Sequence, residues 1–179
     1  MTEVANNYGG ALYELARDEG LSQQLLEEIS ALCDSFRDEP GFIQLLSAPS
    51  IPKEERCQII DNCFREKLHP YVLNFLKILT ERGYVRDFAE CCQVFRKRYN
   101  DDNGILPVTA VTAIPLDEAL QRKLTAKLSE VTGKTIDLSC RVDPQTLGGV
   151  RLDFDGKQVD GTVRRRLDDI RGILAGTVL

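Results

Sequence analysis

The sequence predicts an α+β fold that is mainly α, with a six-helix bundle over residues 1–104 and a small β-α-β-β-α domain over residues 105–179. Apolar residues recur every three or four positions through the first hundred residues, which is the period of a helix. After Gly104, β-branched residues alternate with others, which is the period of a strand. The intervening YNDDNG is rich in turn formers, so we place the domain boundary there.

Each of the first three predicted helices has one apolar face. Those faces consist of Val4, Tyr8, Leu12 and Leu15, then Leu21, Leu25, Ile29, Leu32 and Phe36, then Phe42, Leu45 and Leu46. Gly20 separates the first helix from the second, and Ala48-Pro49 ends the third. Pro52 then suits the first turn of a fourth helix, where a missing N–H costs nothing.

The next three predicted helices have the same period. Their apolar residues are Cys57, Ile60, Cys63, Phe64 and Leu68, then Tyr71, Val72, Phe75, Leu76, Ile78 and Leu79, then Val85, Phe88, Cys92, Phe95 and Tyr99. The residue before Pro70 disfavours helix, so the fifth helix begins there, and Gly83 suits its C-cap. This fifth helix is too apolar for a helix that buries only one face.

The C-terminal domain is predicted from its change of period. Alternation predicts strands over 105–114, 136–142 and 150–154, with Asp155-Gly156 as a hairpin turn. The pattern predicts a helix between the first two strands, with Gly133 at its end, and a last helix that begins near Thr162. The inward residues of these helices are Leu116, Leu120, Leu124, Leu128 and Val131, then Val163, Leu167, Ile170 and Leu174. A domain this small is marginal alone, which favours support from the bundle or from a partner.

The composition argues against a nucleic-acid binder and gives no sign of export. Lys and Arg number 23 against 28 Asp and Glu, a net charge of −5, whereas non-specific nucleic-acid affinity comes mainly from basic residues. The N-terminus has acids and amides where a signal peptide is basic and apolar, and no stretch reaches the roughly 18 apolar residues of a membrane span. We therefore expect a cytosolic chain.

The cysteines and the histidine form no recognisable site. The six cysteines contain no CxxC pair, and His69 is the only histidine, so we expect neither a metal site nor a redox centre. Cys57 and Cys63 would point to different sides of a helix. We expect all six to be reduced, inert and mostly buried thiols.

Motifs of catalysis are also missing. The sequence contains no GxxxxGK[ST], GxSxG or HExxH, and no GxGxxG after a strand, so we expect no enzyme and no cofactor. LGGVRLDFDGKQVDGTVRRR, residues 147–166, is glycine-rich, but its glycines precede a strand, form a turn, or follow Asp160, which suits a helix N-cap. A phosphate cradle is therefore disfavoured. The three arginines oppose the helix dipole and favour an interface, although a solvated face explains them equally well.

Four segments occur in an order that resembles a known family. They are YGGALYELA, LLSAPSIPKEERCQII, KILTERGYVRDF and VDPQTLGGVRLDFDGKQVDGTVRRRLDDI. The chain resembles, over essentially its whole length, the δ subunits of bacterial F-type ATP synthases and the related mitochondrial oligomycin-sensitivity-conferring proteins. The C-terminal segment, with D-P-x-x-L-G-G-V and V-D-G-T-V-R-x-R-L, is the most specific part.

This resemblance implies a non-catalytic stator connector. In that family the helical bundle holds the N-terminal helices of α subunits on the catalytic head, and the C-terminal domain ties on the C-terminal ends of b subunits. The resemblance thus implies support of proton-driven ATP synthesis from the cytoplasmic face of the cell membrane, with membrane association only through the complex. It implies no cofactor and no nucleic acid.

The resemblance also implies binding residues. The family's α-binding groove lies between the first and fifth helices, and the matching positions are Tyr8, Ala11, Leu12, Leu15, Phe75, Ile78, Leu79 and Arg82. Any of the apolar ones could instead be bundle core. Arg164, Arg165 and Arg166 are candidates for a surface facing the b subunits. Family members commonly show Tyr-Ala-x-Ala where this chain has Tyr8-Gly9-Gly10-Ala11, and we expect these glycines to admit a partner helix or a neighbouring backbone.

Two other classes of function remain open from the residues themselves. One is a small helical-bundle regulatory or nucleic-acid-binding module that uses Arg164 to Arg166 together with Arg96, Lys97 and Arg98. The other is an enzyme with an arginine-lined anion site at Gly161-Thr162.

Overall fold

The chain forms two compact units, residues 1–99 and 100–179. The computed structural model describes residues 2–146, 148–154 and 156–161. These described residues contain seven α-helices and one four-stranded sheet, which confirms the coarse prediction of a mainly helical protein with a small β component. Within the same residues, none of the helices combines the length and the apolarity needed to cross a membrane.

Six α-helices begin in the N-terminal unit. They are α1 (Glu3–Asp18), α2 (Ser22–Asp38), α3 (Pro40–Leu46), α4 (Lys53–Phe64), α5 (Pro70–Arg82) and α6 (Phe88–Asp102). A 3₁₀ turn, Val85–Asp87, precedes α6, so the predicted sixth helix begins three residues late as an α-helix. The predicted fourth helix is too long at its end, because α4 stops at Phe64 and leaves Leu68 outside it.

The helix ends follow the local chemistry of their residues. The Thr2 hydroxyl accepts a hydrogen bond from the Ala5 N–H at 3.2 Å at the start of α1, which satisfies one of the free donors there. Pro40 and Pro70 occupy the first turns of α3 and α5, where a missing N–H is tolerated. Gly83 ends α5 with φ 81°, in the left-handed region that glycine adopts without strain.

The core of the N-terminal unit draws on all six helices and is rich in aromatic rings. Phe36 packs against Phe42, Phe64 and Phe88, with ring centroids 5.2 to 6.3 Å apart. Tyr13 on α1 meets Phe95 edge to face at 5.3 Å. Burying one such side chain contributes about 1.5–3 kcal/mol, so this cluster supplies much of the stability of the unit.

Gly9 and Gly10 on α1 are buried against α6. A Cβ atom built on Gly9 would lie 2.4 Å from the Cys91 carbonyl oxygen, closer than any real contact. A Cβ atom on Gly10 would lie 2.6 Å from the Arg98 guanidinium, which also pairs with Glu14 at 2.6 Å. The expectation of a closely approaching neighbouring backbone is therefore correct for Gly9, and that backbone is α6 of the same chain rather than a partner helix.

The C-terminal unit contains the sheet, with strand order β2-β1-β3-β4. The strands are β1 (Ile105–Thr112), β2 (Thr135–Val142), β3 (Val150–Phe154) and β4 (Lys157–Asp160). β1 pairs in parallel with β2 across the helix α7 (Glu118–Thr132), and in antiparallel with β3. Parallel neighbours need such a crossover, and the Asp117 carboxylate caps its helix by accepting from the Leu120 N–H at 2.7 Å.

The predicted order of elements in this unit lacked β4. β3 and β4 form a hairpin in which Phe154 pairs with Lys157, so a fourth strand follows the predicted turn. Its sequence KQVD carries two charges and three exposed side chains, which hid it from a search for apolar alternation. The predicted turn at Asp155-Gly156 could have revealed β4, because a two-residue hairpin turn has a strand on each side.

The glycine pair before β3 has the role predicted for it. Gly148 and Gly149 adopt φ 131° and 86°, which other residues rarely do, and they lead into a strand rather than a helix. Asp160 ends β4, and the N–H of Gly161 donates to the Val150 carbonyl at 3.1 Å. The helix predicted from Thr162, with the N-cap role of Asp160 and the inward Val163, Leu167, Ile170 and Leu174, lies outside the described residues.

Candidate functional site

Helices α1 and α5 hold the eight residues that the resemblance implies for a binding groove. The ring of Tyr8, on α1, lies 5.9 Å from the ring of Tyr84, which follows the end of α5. Tyr84 is fixed there because its N–H donates to the Leu79 carbonyl at 2.7 Å, across the Gly83 C-cap. The first half of α1 therefore lies beside the C-terminal end of α5.

The structure divides these eight residues into two groups. Leu12, Phe75 and Leu79 are buried in the core of the N-terminal unit, with 6, 7 and 0 % exposure. Tyr8 is half-buried, and Ala11, Leu15, Ile78 and Arg82 are exposed. A partner could touch only the second group and Tyr8 without disturbing the core.

Some of the exposed residues of each helix follow one another at helical spacing and form an outward stripe. On α1 the stripe consists of Asn7, Ala11, Leu15 and Asp18, and on α5 of Asn74, Ile78, Glu81 and Arg82. Leu15 and Ile78 are 40 and 45 % exposed, although both helices also contribute buried residues to a well-formed core. Each stripe thus has an apolar centre between polar ends.

Tyr84 belongs with these residues, although the sequence did not single it out. It is 37 % exposed, and its ring contact with Tyr8 extends the apolar surface of α1 past the end of α5. Its position directly after the predicted C-cap Gly83 was a usable signal, because the left-handed turn brings the next residue back onto the helix it ends. We call Tyr8, Ala11, Leu15, Ile78 and Tyr84 the α1/α5 patch.

Two of the basic residues proposed for a nucleic-acid surface are engaged within the fold. Arg96 donates to the Ser30 hydroxyl at 2.7 Å, and Arg98 pairs with Glu14 over Gly10. Two cations of the predicted cluster thus hold α6 to its neighbours α2 and α1. Arg164, Arg165 and Arg166 lie outside the described residues, as does Thr162 of the predicted anion site.

The cysteines differ more in environment than the sequence suggested. Only Cys91 and Cys92 are buried, whereas Cys63 and Cys140 are exposed, so the expectation of mostly buried thiols is wrong. Burial raises the pKa of Cys91 to about 12. Burial, together with a 3.6 Å hydrogen bond from the thiol to Glu81, raises the pKa of Cys57. Among the described residues, no three potential ligands gather into a group that could hold a metal ion.

Comparison with known proteins identifies the family of the chain. The family model "ATP synthase delta (OSCP) subunit" matches residues 4–174. The ATP synthase subunit delta of Alkaliphilus oremlandii is 34 % identical over 92 % of this chain and 91 % of its own length. That of Lactobacillus gasseri is 31 % identical over 94 % of this chain and 93 % of its own length.

A solved structure supports the fold. A chain of the mitochondrial ATP synthase hexamer of Toxoplasma gondii superposes with a TM-score of 0.78, covering 97 % of this chain and 98 % of that one at 17 % identity. The resemblance seen in the four sequence segments is therefore confirmed. The chain belongs to the ATP synthase delta (OSCP) family, a family of structural, non-catalytic subunits of the peripheral stalk of F-type ATP synthase.

Proposed function

We propose that this chain is the stator connector that joins the catalytic head of an F-type ATP synthase to its peripheral stalk. The N-terminal unit holds N-terminal helices of α subunits, and the C-terminal unit faces the C-terminal ends of b subunits. By holding the head against rotation, the chain supports proton-driven ATP synthesis. It acts at the cytoplasmic face of the cell membrane as a peripheral subunit and binds no nucleic acid. Family membership over nearly the whole chain supports this role.

The observation that carries the proposal is the α1/α5 patch. Leu15, Ile78 and Tyr84 are 40, 45 and 37 % exposed, although the core beneath them is closed. An amphipathic helix binds by placing side chains three or four residues apart on such an apolar strip. A static connector needs a surface of this kind and needs no reactive group.

The contact between Tyr8 and Tyr84 joins the two stripes. Leu15 lies seven residues further along α1, a distance of about 10 Å along the helix. Ile78 lies in the second half of α5, which ends at Gly83 directly before Tyr84. A partner helix that covers the two tyrosines can extend toward Leu15 and Ile78, and the small side chain of Ala11 leaves room for it.

Charges at the margins suit an amphipathic partner. Arg82 and Glu81 lie at the end of α5, and Glu14 and Asp18 flank Leu15 on α1, all of them exposed. A bound helix would lay its apolar face on the patch and keep its polar face in water near these residues. The charged margin would fix the register more than it adds affinity.

Charge insertion at the patch tests the proposal. We expect the double variant Leu15→Asp/Ile78→Asp to weaken binding of a synthetic α-subunit N-terminal peptide at least ~30-fold, because each lost apolar contact is worth about 1–2 kcal/mol. Isothermal titration calorimetry measures the change. Leu45→Asp is the matched control, since Leu45 is 38 % exposed on α3 of the same unit and should leave the affinity unchanged.

Two results would decide against the patch. One is unchanged peptide affinity in the double variant while circular dichroism shows the native helix content. The other is an equal loss of affinity in Leu45→Asp, which would indicate a general effect of the added charge rather than a site.

Arg164, Arg165 and Arg166 form the second part of the proposal, as a surface facing the b subunits. If they contact acidic residues of b, replacement of all three by Glu should weaken binding of a C-terminal b peptide, and more strongly at low salt than at high salt. Replacement by Lys should preserve most of the binding. Equal binding by the Glu and Lys variants at low salt would remove these arginines from the interface.

A further inference from the structure

Two cysteines of different helices meet in one crevice of the N-terminal unit. Cys33 on α2 and Cys92 on α6 both line a crevice of about 510 Å³ that opens to solvent. Cys92 is 7 % exposed and forms part of its floor, whereas Cys33 is half-buried. A small reagent that enters the crevice therefore reaches Cys33 first.

The Cys92 sulfur lies against the backbone of α2 next to Cys33. Its thiol donates to the Ile29 carbonyl oxygen at 3.8 Å, and Ile29 lies one helical turn before Cys33. The helices that carry the two cysteines are held together nearby, because Arg96 on α6 donates to Ser30 on α2 at 2.7 Å. A disulfide has an S–S length of about 2.05 Å, so the Cys33 and Cys92 side chains must turn toward each other within the shared crevice to form one.

The crevice favours the anionic form of Cys33. The hydrogen bond from Cys92 and the nearby Arg96 guanidinium lower the pKa of Cys33 against the opposing effect of burial. Arg37 acts in the same direction, whereas Asp34, which pairs with Arg37 at 3.1 Å, opposes it. The thiolate is the form that reacts, so Cys33 combines reactivity with access, in contrast to the buried Cys91.

We propose that Cys33 is a peroxide-reactive thiol and that Cys92 resolves its oxidised form into a reversible disulfide between α2 and α6. The Cys33 thiolate attacks one oxygen of hydrogen peroxide, the O–O bond breaks, and hydroxide leaves to become water. Cys33 is then a sulfenic acid. The Cys92 sulfur attacks the Cys33 sulfur, the S–O bond breaks, and the proton of Cys92 leaves with the hydroxyl group as a second water.

The two steps balance. Two thiols lose two electrons and two protons, and one peroxide molecule is reduced to two water molecules. In the resting protein the pKa of Cys92 is raised, chiefly by its hydrogen bond to Cys33 and by burial. Oxidation of Cys33 removes the thiolate that raises the pKa of Cys92. The Cys92 thiol therefore gives up its proton more easily in the second step.

The disulfide would join segments that are far apart in the chain. The whole of α3, α4 and α5 lies between Cys33 and Cys92 in sequence, so the bridge would close a long loop and restrict the unfolded chain. We therefore expect the oxidised N-terminal unit to unfold at a higher temperature than the reduced one. The proposal departs at this pair from the expectation of six inert thiols.

Mass spectrometry of the full chain tests the proposal. After treatment with hydrogen peroxide and tryptic digestion under non-reducing conditions, we expect one linked pair of peptides, residues 18–37 with Cys33 and residues 87–96 with Cys91 and Cys92. Fragmentation between Cys91 and Cys92 should place the link on Cys92, and dithiothreitol should separate the two peptides. Cys140→Ala is the matched control and should leave the link unchanged, since Cys140 is exposed on β2. In Cys92→Ala, oxidation should stop at a sulfenic acid on Cys33 that dimedone traps.

Arg96→Gln separates the electrostatic effect from the contact. Glutamine removes the positive charge beside Cys33 but is too short to reach Ser30 as the guanidinium does, so Ser30→Ala, which loses only this hydrogen bond, is the matched control. We expect the peroxide reaction at Cys33 to slow severalfold at neutral pH. The proposal would be overturned if peroxide modified Cys63 or Cys140 of the wild-type chain and left Cys33 and Cys92 unlinked. An unchanged rate of the peroxide reaction in Arg96→Gln would also overturn it. The disulfide mapping of the wild-type chain tests the proposal even if a variant fails to fold.

Discussion

The two units bury their hydrophobic residues to different degrees. The N-terminal unit holds all five tyrosines and six of the seven phenylalanines, and its helices close over a core in which Leu25, Leu46 and Phe95 have no exposure. In the C-terminal unit, none of the described residues of α7 is buried, and Ile114, Val131 and Val159 are more than half exposed.

This difference decides where an exposed apolar residue is informative. In the N-terminal unit the core is complete, and four large hydrophobic residues are exposed on it. Leu15, Ile78 and Tyr84 belong to α1 and to α5 with its C-terminal turn, whereas Leu45 lies on α3. In the C-terminal unit the exposed aliphatic residues are scattered over α7, β2, β4 and the segment after β1, and no single surface is distinguished by them. A docking site is therefore best supported on α1 and α5.

The largest expected effect tests the contrast in burial. Leu25→Ala in the N-terminal unit should cost about 4 kcal/mol, because it opens a cavity in a closed core. Leu128→Ala on α7 should cost about 1 kcal/mol, since Leu128 is only half-buried. Urea unfolding followed by tyrosine fluorescence reports the first variant, as every tyrosine lies in residues 1–99. Hydrogen exchange of the β1 amides reports the second, and equal losses in the two variants would refute the contrast.

A medium effect tests the close packing of α1 on α6. Gly9→Ala should lower the free energy of unfolding by about 2–3 kcal/mol, because the added methyl group meets the Cys91 backbone oxygen. Gly41→Ala is the control: its Cβ atom would meet nothing within 4 Å, and alanine should stabilise α3 by up to about 1 kcal/mol. Thermal unfolding measures both variants. A stabilised Gly9→Ala protein would mean that α1 and α6 are too far apart for an alanine Cβ atom at position 9 to meet the Cys91 carbonyl oxygen.

A smaller effect tests the buried cation of the N-terminal unit. Arg56 is 7 % exposed, and its Nη1 donates to the Leu46 carbonyl at the end of α3 at 2.7 Å. Arg56→Met should cost about 2 kcal/mol, because this carbonyl loses its partner in a buried place. Arg65→Met, at the exposed end of α4, should change stability by less than about 0.5 kcal/mol. Equal stabilities of the two variants would show that the Arg56 bond contributes nothing.

Much of the helical part could be predicted from the sequence, because it depends on local chemistry. The 3.6-residue period, Pro70 at the start of α5 and Gly83 at its end all act within a few residues. Contacts between helices could not be predicted in this way. Nothing in the local sequence shows that Arg56 reaches the Leu46 carbonyl, or that Gly9 faces Cys91 rather than a partner.

The candidate site was predictable in outline only. The residues on α1 and α5 came from resemblance to a family, and the pattern alone could not tell buried Leu12 from exposed Leu15, which share one helical face. The missed strand β4 and the missed Tyr84 each followed a turn that the sequence did reveal. In both cases the turn was recognised but its consequence for the next residues was not.

The most direct test of the docking surface is an NMR titration of the full chain with a synthetic peptide of the α-subunit N-terminus. We predict that signals of Tyr8, Leu15, Ile78 and Tyr84 shift together with one dissociation constant, while Leu45 on α3 stays in place. Shifts confined to α3 or to the C-terminal unit, with these four signals unmoved, would contradict the assignment of the α1/α5 patch as the site that holds the catalytic head.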